Sequence, residues 1–303
     1  MAVASVALLA APLAAQVRTA DPAVRGVALT AFPRFVKLAD GIYGYEEIRA
    51  PGFTTVSLVV IGRDGVLIAD GQGSAAATRT MLERIRELTP MPVKWYVMGS
   101  DHGDHTAGNS VLPKDITYIV HRNSRAQLLR DSAAAPAGRA LIVPPVAMTA
   151  DTQSIDVGGI PVTVRFLGRA HTGGDLMVQL PLHGILFMSE AFLNRVFPAM
   201  RSAYPTEWVA TVDRALALRG VTRYIPGHGF IESPGASREE LMAFRAALVA
   251  VITEVKRLHA LGLSEADALK AAQWGQYGDW FLANQQAPVA IRKVYEEIAG
   301  TLK

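Results

Sequence analysis

Cysteine is absent from the 303 residues of this chain. Its absence excludes disulfides, thiolate metal ligands and a cysteine nucleophile together, and it suits an oxidising compartment. A surplus of one charge is also missing. Thirty basic residues face 27 acidic ones, for a formal charge of +3, and the lysines and arginines form no basic block. That balance argues against nucleic acid or an anionic membrane as partner. Long apolar runs are lacking too, since none approaches the roughly 20 helical residues that span a bilayer. The first fifteen residues, MAVASVALLAAPLAA, carry no charged side chain and end in small residues. They are similar to the apolar region and cleavage site of a secretory signal peptide without its basic start, so export to the periplasm or medium is expected.

Half of the residues are apolar and 19% are charged, a globular balance with enough apolar side chains for a sizeable core. Residues 16–35, with Pro22 and Pro33, read as an irregular lead-in. Strand patterns follow at 42–45, 56–61 and 66–70, a helix from Ser74 stopped by Pro90, and a strand at 93–98. Further strands are predicted at 116–120, 160–167, 175–180 and 184–188. Helices are predicted at 123–129 and 206–218, with a loop over 133–146. Alternation of strands and helices, with two apolar strand sets, predicts an α/β (α+β) fold in which helices cover paired sheets. Ser237 and Glu240 read as a capping box opening a helix that Gly262 ends. Ser264 with Asp267 opens another, and a last helix follows Pro288. The division expected is a main domain over 36–236 and a helical extension over 237–303 packed on it.

The residues that carry chemistry lie on turns. Ser100-Asp101-His102-Gly103-Asp104-His105 follows the strand at 93–98, and such close spacing lets side chains converge only on a tight loop. His171 stands in a glycine-rich turn, Gly168 to Asp175, between two strands. His228 stands at a strand end between Gly227 and Gly229. Imidazole nitrogen and carboxylate oxygen are the donors zinc takes in catalytic sites, and glycines let such a loop turn sharply.

These motifs resemble those of the metallo-β-lactamase superfamily, over roughly residues 40–232, with Ser100 where the family's first motif histidine belongs. The resemblance implies an αββα sandwich and two metal sites. Asp104, His105 and His228 would form one, and His102 with His171 what remains of the other. A neutral hydroxyl is a poor zinc ligand, so one tightly held zinc is expected, with a second weak or absent. Glu190, in Phe187-Met188-Ser189-Glu190, falls where dinuclear relatives keep a bridging aspartate. It reads either as a further ligand or as an exposed strand-end carboxylate. Asp70 reads as support behind a ligand histidine or as a turn cap. His121, His183 and His259 read as structural, and Asp101 points elsewhere because it adjoins His102. No Gly-x-Ser-x-Gly elbow makes Ser100 a nucleophile. Arg195 reads as a surface arginine.

The resemblance implies a zinc-dependent hydrolase acting on a small molecule with an activated carbonyl: lactam, lactone, ester or thioester. Asp104 would serve as catalytic ligand. A β-lactamase with an altered first site, a catalytically degenerate metal-binding accessory protein and a di-iron relative remain as alternatives. Substrate and oligomeric state are not encoded in any motif of the chain.

Overall fold

The computed structural model describes residues 17–135 and 141–302, so the apolar leader lies outside the described residues. Eleven strands form two sheets. The first, in order β1 to β6, contains Arg34–Ala39, Ile42–Arg49, Phe53–Gly62, Gly65–Ala69, Val93–Val97 and Thr117–Ile119. The second contains β7 (Thr152–Asp156), β8 (Pro161–Phe166), β9 (Leu176–Leu180), β10 (Ile185–Phe187) and β11 (Arg223–Ile225), and runs in the order β11-β10-β9-β8-β7. Meander strands pair antiparallel. The β4-β5-β6 and β10-β11 neighbours pair parallel, because a helix intervenes between them in the chain.

Strand alternation explains how two sheets stack. On β3, Val56, Leu58 and Val60 enter the core between the sheets, while Val59 points outward beneath the helix Ala75–Leu88. On β9, Leu176, Val178 and Leu180 face the same inner core, and Met177 meets the helices on the opposite side. Those helices are Pro205–Leu216, Pro234–Ala260 and Ala283–Ile298, which send Trp208, Phe244, Leu248 and Ile291 into the outer cluster. The result is a helix–sheet–sheet–helix sandwich, with C-terminal helices packed on one outer face. Among the described residues no helix is long and apolar enough to cross a membrane.

Several boundaries differ from those expected. The long helix begins one turn earlier than the Ser237/Glu240 pattern indicates, at Pro234 after Ser233. Proline at the first helical position needs no backbone donor, so the helix starts there. Ser237 is buried inside the helix, accepting from Tyr224 N–H at 3.0 Å and donating to Pro234 O at 2.7 Å, and Glu240, also buried, pairs with Arg195 and Arg18. The last helix begins at Ala283, with Pro288 inside it. The helix expected at 123–129 spans Arg122–Ala134, into the segment read as loop. The lead-in contains a helical turn at Pro22–Arg25 and the start of β1. Strand β7 escaped the sequence reading because its residues are mostly exposed and polar and lack apolar alternation.

Trp208 ties these layers to the edge where His171 lies. It is fully buried, donates Nε1–H to Ala191 O at 2.9 Å, and sets its ring against His171 and Phe244. Trp208→Ala is expected to lower stability by about 3–5 kcal/mol in a denaturant titration. A loss under about 1 kcal/mol would contradict this packing role.

Candidate metal centre

Every loop that carries a chemical side chain leaves the same edge of the sandwich. Asp70 follows β4, Ser100 to His105 follow β5, His171 lies between β8 and β9, Glu190 follows β10, and His228 follows β11. Backbone close approach makes this convergence possible. A Cβ on Gly99 would lie 2.6 Å from Ser189 Cβ, and one on Gly227 would lie 2.5 Å from the Ser189 carbonyl carbon. Only glycine admits the loops at that spacing.

Four imidazoles surround the Glu190 carboxylate. Oε1 lies 3.1 Å from His171 Nε2 and 3.2 Å from His228 Nε2, and Oε2 lies 3.0 Å from His102 Nδ1. His105 Nε2 is 3.7 Å from Oε1. Asp104 Oδ2 lies 3.0 Å from His228 Nε2. Two groups of donors result, Asp104/His105/Glu190/His228 and His102/His171/Glu190, and Glu190 belongs to both. Glu190 is therefore buried among imidazoles, and the exposed-carboxylate reading is overturned.

Backbone strain aims this side chain. Ser189 adopts a left-handed backbone at φ 49°, a conformation rare outside glycine and costly unless its surroundings enforce it. Its hydroxyl donates to Asp70 Oδ2, and Ser100 Oγ donates to Glu190 Oε2 at 2.5 Å. Asp70 Oδ1 also accepts from Gly99 N–H at 2.6 Å and from Ser100 N–H at 3.3 Å. Asp70 thus fixes two ligand loops at once, in addition to facing His105 Nδ1 at 3.1 Å.

The outward nitrogens decide what the inward ones can do. His228 Nδ1 lies 2.8 Å from Thr54 O, which can only accept, so Nδ1 carries a hydrogen and Nε2 is turned inward, where loss of its proton to a bound metal would present a lone pair. Asp70 sets His105 in the same sense, and Ser202 Oγ lies 2.9 Å from His102 Nε2. Inside, like faces like: His105 Nε2 is 3.2 Å from His228 Nε2, and His102 Nδ1 is 3.0 Å from His171 Nε2. Lone pairs converging with carboxylates on one small volume are the donor set of a divalent transition metal. The residues present fit such an ion.

Electrostatics within the cluster follow from burial and mutual contact. Burial opposes charge on Glu190, but His171, His102 and His105 hold its carboxyl far below the ordinary range. Burial likewise opposes charge on His228, and hydrogen bonds that it donates to Asp104 and Glu190 outweigh it, pushing the imidazole up to about 9. His171 is lowered, with burial the largest cause.

Sequence reading missed the outer parts of this centre. Arg49, at the end of β2, donates to Asp104 Oδ2 at 2.6 Å. Phe53 packs its ring 4.9 Å from that of His228. Neither residue belongs to a motif, and only the fold brings them near. Arg195 is held by Glu240 away from the cluster, so it supplies no group to it. His121 caps the helix Arg122–Ala134, a structural role. Above the donors lies a cleft of about 230 Å³, lined also by Phe53, Leu193, Val196, Arg201, Gln286 and Val289.

No family model matches the sequence. The metallo-β-lactamase type 2 of Bacteroides fragilis is 24% identical over 201 residues, covering 64% of this chain and 78% of that protein. A metallo-β-lactamase from Pontibacter korlensis superposes with a TM-score of 0.62 at 18% identity, over 70% of this chain and 98% of that one. A stereoselective inverting sec-alkylsulfatase from Pseudomonas sp. superposes with a TM-score of 0.66 at 14% identity, over 88% of this chain. The chain spans half the length of that sulfatase. These superpositions, with TM-scores of 0.62 and 0.66, show the fold: the chain has the fold of the metallo-β-lactamase superfamily.

Proposed function

We propose that this protein is a zinc-dependent hydrolase acting on a small molecule with an activated carbonyl, as in a lactam, lactone, ester or thioester. One observation carries the reading: the outward nitrogens of His228, His105 and His102 face Thr54 O, Asp70 and Ser202, which turns their other nitrogens onto Glu190 and Asp104. A histidine that only packs in a core has no need of that orientation.

Asp104, His105, His228 and Glu190 would hold the tighter ion, and His102 with His171 and Glu190 the weaker. In this reading Ser100, standing where the family has histidine, supplies no ligand, and its hydroxyl steadies Glu190 instead. Zinc held at these donors supplies an electrophilic centre and water acidified to a pKa of about 7. The chain's own residues do the rest. Asp104 orients the reacting water, with one oxygen fixed by Arg49. Phe53, Leu193 and Val196 exclude bulk water from the cleft. A β-lactamase is the second reading, favoured by the match to 78% of the Bacteroides fragilis enzyme. A catalytically degenerate accessory protein is a third outcome of the test below.

Export also belongs to this proposal, supported by the uncharged first fifteen residues. N-terminal sequencing of the mature protein is expected to show the leader removed, and an intact Met1 would refute it.

Metal analysis after desalting is expected to give close to one zinc per chain. Ser100→His should raise that figure, whereas two tightly held ions in the native chain would sink the assignment. Replacing Asp104 or His228 by alanine should abolish tight binding and reduce turnover at least a hundredfold on a panel of β-lactams, lactones and thioesters. A metal-loaded protein inactive on the whole panel would favour the accessory-protein reading.

A further inference from the structure

A second cleft, of about 470 Å³, adjoins the first across Arg201, which lines both. Its walls come from the helix Arg122–Ala134, the turn after His171, the Arg201–Tyr204 segment and the helix Ala283–Ile298. Four of its lining side chains are cationic: Arg130, Arg169, Arg201 and Lys293. The sole acid on the lining is Asp101, which is buried. Such a ratio contrasts with the even charge balance of the whole chain.

The four cations are differently engaged. Arg169 is paired with Glu207 and lies 4.0 Å over the Tyr204 ring, while Lys293 meets Glu296 at 2.6 Å. Arg130 donates to the neutral amide of Gln127. Arg201 has neither a hydrogen bond nor an ion pair among the described residues, although its field bears on His102. Next to it, Ser202 contacts His102. An unpaired guanidinium stands on the wall between the reaction centre and a polar, cation-lined space. Guanidinium geometry suits a tetrahedral oxyanion.

Building on the hydrolase reading, we propose that this cleft is an anion subsite. It takes a phosphate or sulfate carried by the substrate away from the scissile bond, with Arg201 as the principal donor and Arg130 and Lys293 closing around it. The substrate class is then narrowed to molecules with an apolar or compact reacting end and an anionic arm. Arg201 spans the junction, so the two ends engage together.

The test is calorimetric titration of pyrophosphate into the full chain, with metal content measured in every sample. Arg201→Ala and Arg130→Ala should each weaken binding about tenfold with metal content unchanged, the scale of one charge-assisted hydrogen bond. Arg201→Lys should recover part of the loss, and added salt should weaken all of these affinities. Equal binding by all variants would place the anion on the metal donors and overturn the subsite, as would no binding at all. A kinetic arm compares thioesters with and without a phosphate on the leaving group. Arg201→Ala should raise KM about tenfold more for the phosphorylated member than for the plain one, again the scale of one such bond. An Arg201-dependent affinity for free pyrophosphate without that KM effect would show a site for free anion and overturn the substrate-arm proposal. Pyrophosphate binding lost in Arg201→Ala, from a protein that hydrolyses nothing, would retain the cleft as an anion site and refute the hydrolase reading alone.

Discussion

The structure depends on a single carboxylate held among four imidazoles. Glu190 belongs to both donor groups, so neither is complete without it. Burying a charge is costly unless it is paired and hydrogen-bonded on every side. Here the pairing comes from three other loops, which means that the carboxylate also sets their mutual positions. The left-handed Ser189, the hydroxyl of Ser100 and the buried Asp70 are all consequences of putting that one group in that one place. Strain of this kind persists where the surroundings over-determine it, which is characteristic of functional sites.

The sandwich contributes rigidity to the same end. Leu176 N–H donates to Gly99 O at 2.9 Å, linking the start of β9 to the loop after β5 and so joining the two sheets at the reactive edge. Val56 N–H donates to Gly227 O, and Thr54 O faces His228, so the second strand-end loop is fastened to the first sheet as well. The donors sit on loops, but the loops are clamped by backbone from strands with fully buried cores. Precision at the site is inherited from packing between the sheets.

The parts legible in the sequence are those in which side-chain type and local spacing carry the information. Alternation on β3 and β9 marked two-faced strands, and His102, Asp104, His105, His171 and His228 each stood on a glycine turn at a strand end. Glu190 could be read two ways, since whether a carboxylate beside a short strand is buried depends on neighbours far along the chain. Arg49 and Asp104 meet only through sheet topology. Thr54 acts through its carbonyl, which every residue possesses, so no residue type announces it. Strand β7 lacked the apolar alternation that would mark it, and the helix at Pro234 showed that a first-turn proline outweighs a well-formed capping pattern downstream.

The helix Ala283–Ile298 has a metrical consequence. Gln286 and Val289 line the cleft above the donors, whereas Lys293 lines the cationic cleft beside it. These three positions follow one face at intervals of three and four residues. At 1.5 Å per residue, Gln286 and Lys293 stand about 10 Å apart along the axis. The helix acts as a ruler laid across both clefts, graduated in turns. Lengthening it by one residue ahead of Lys293 would rotate that lysine off the shared face by about 100°. With the proposed subsite occupied, the span between reactive bond and charge would be set by this helix, a segment that holds none of the donors.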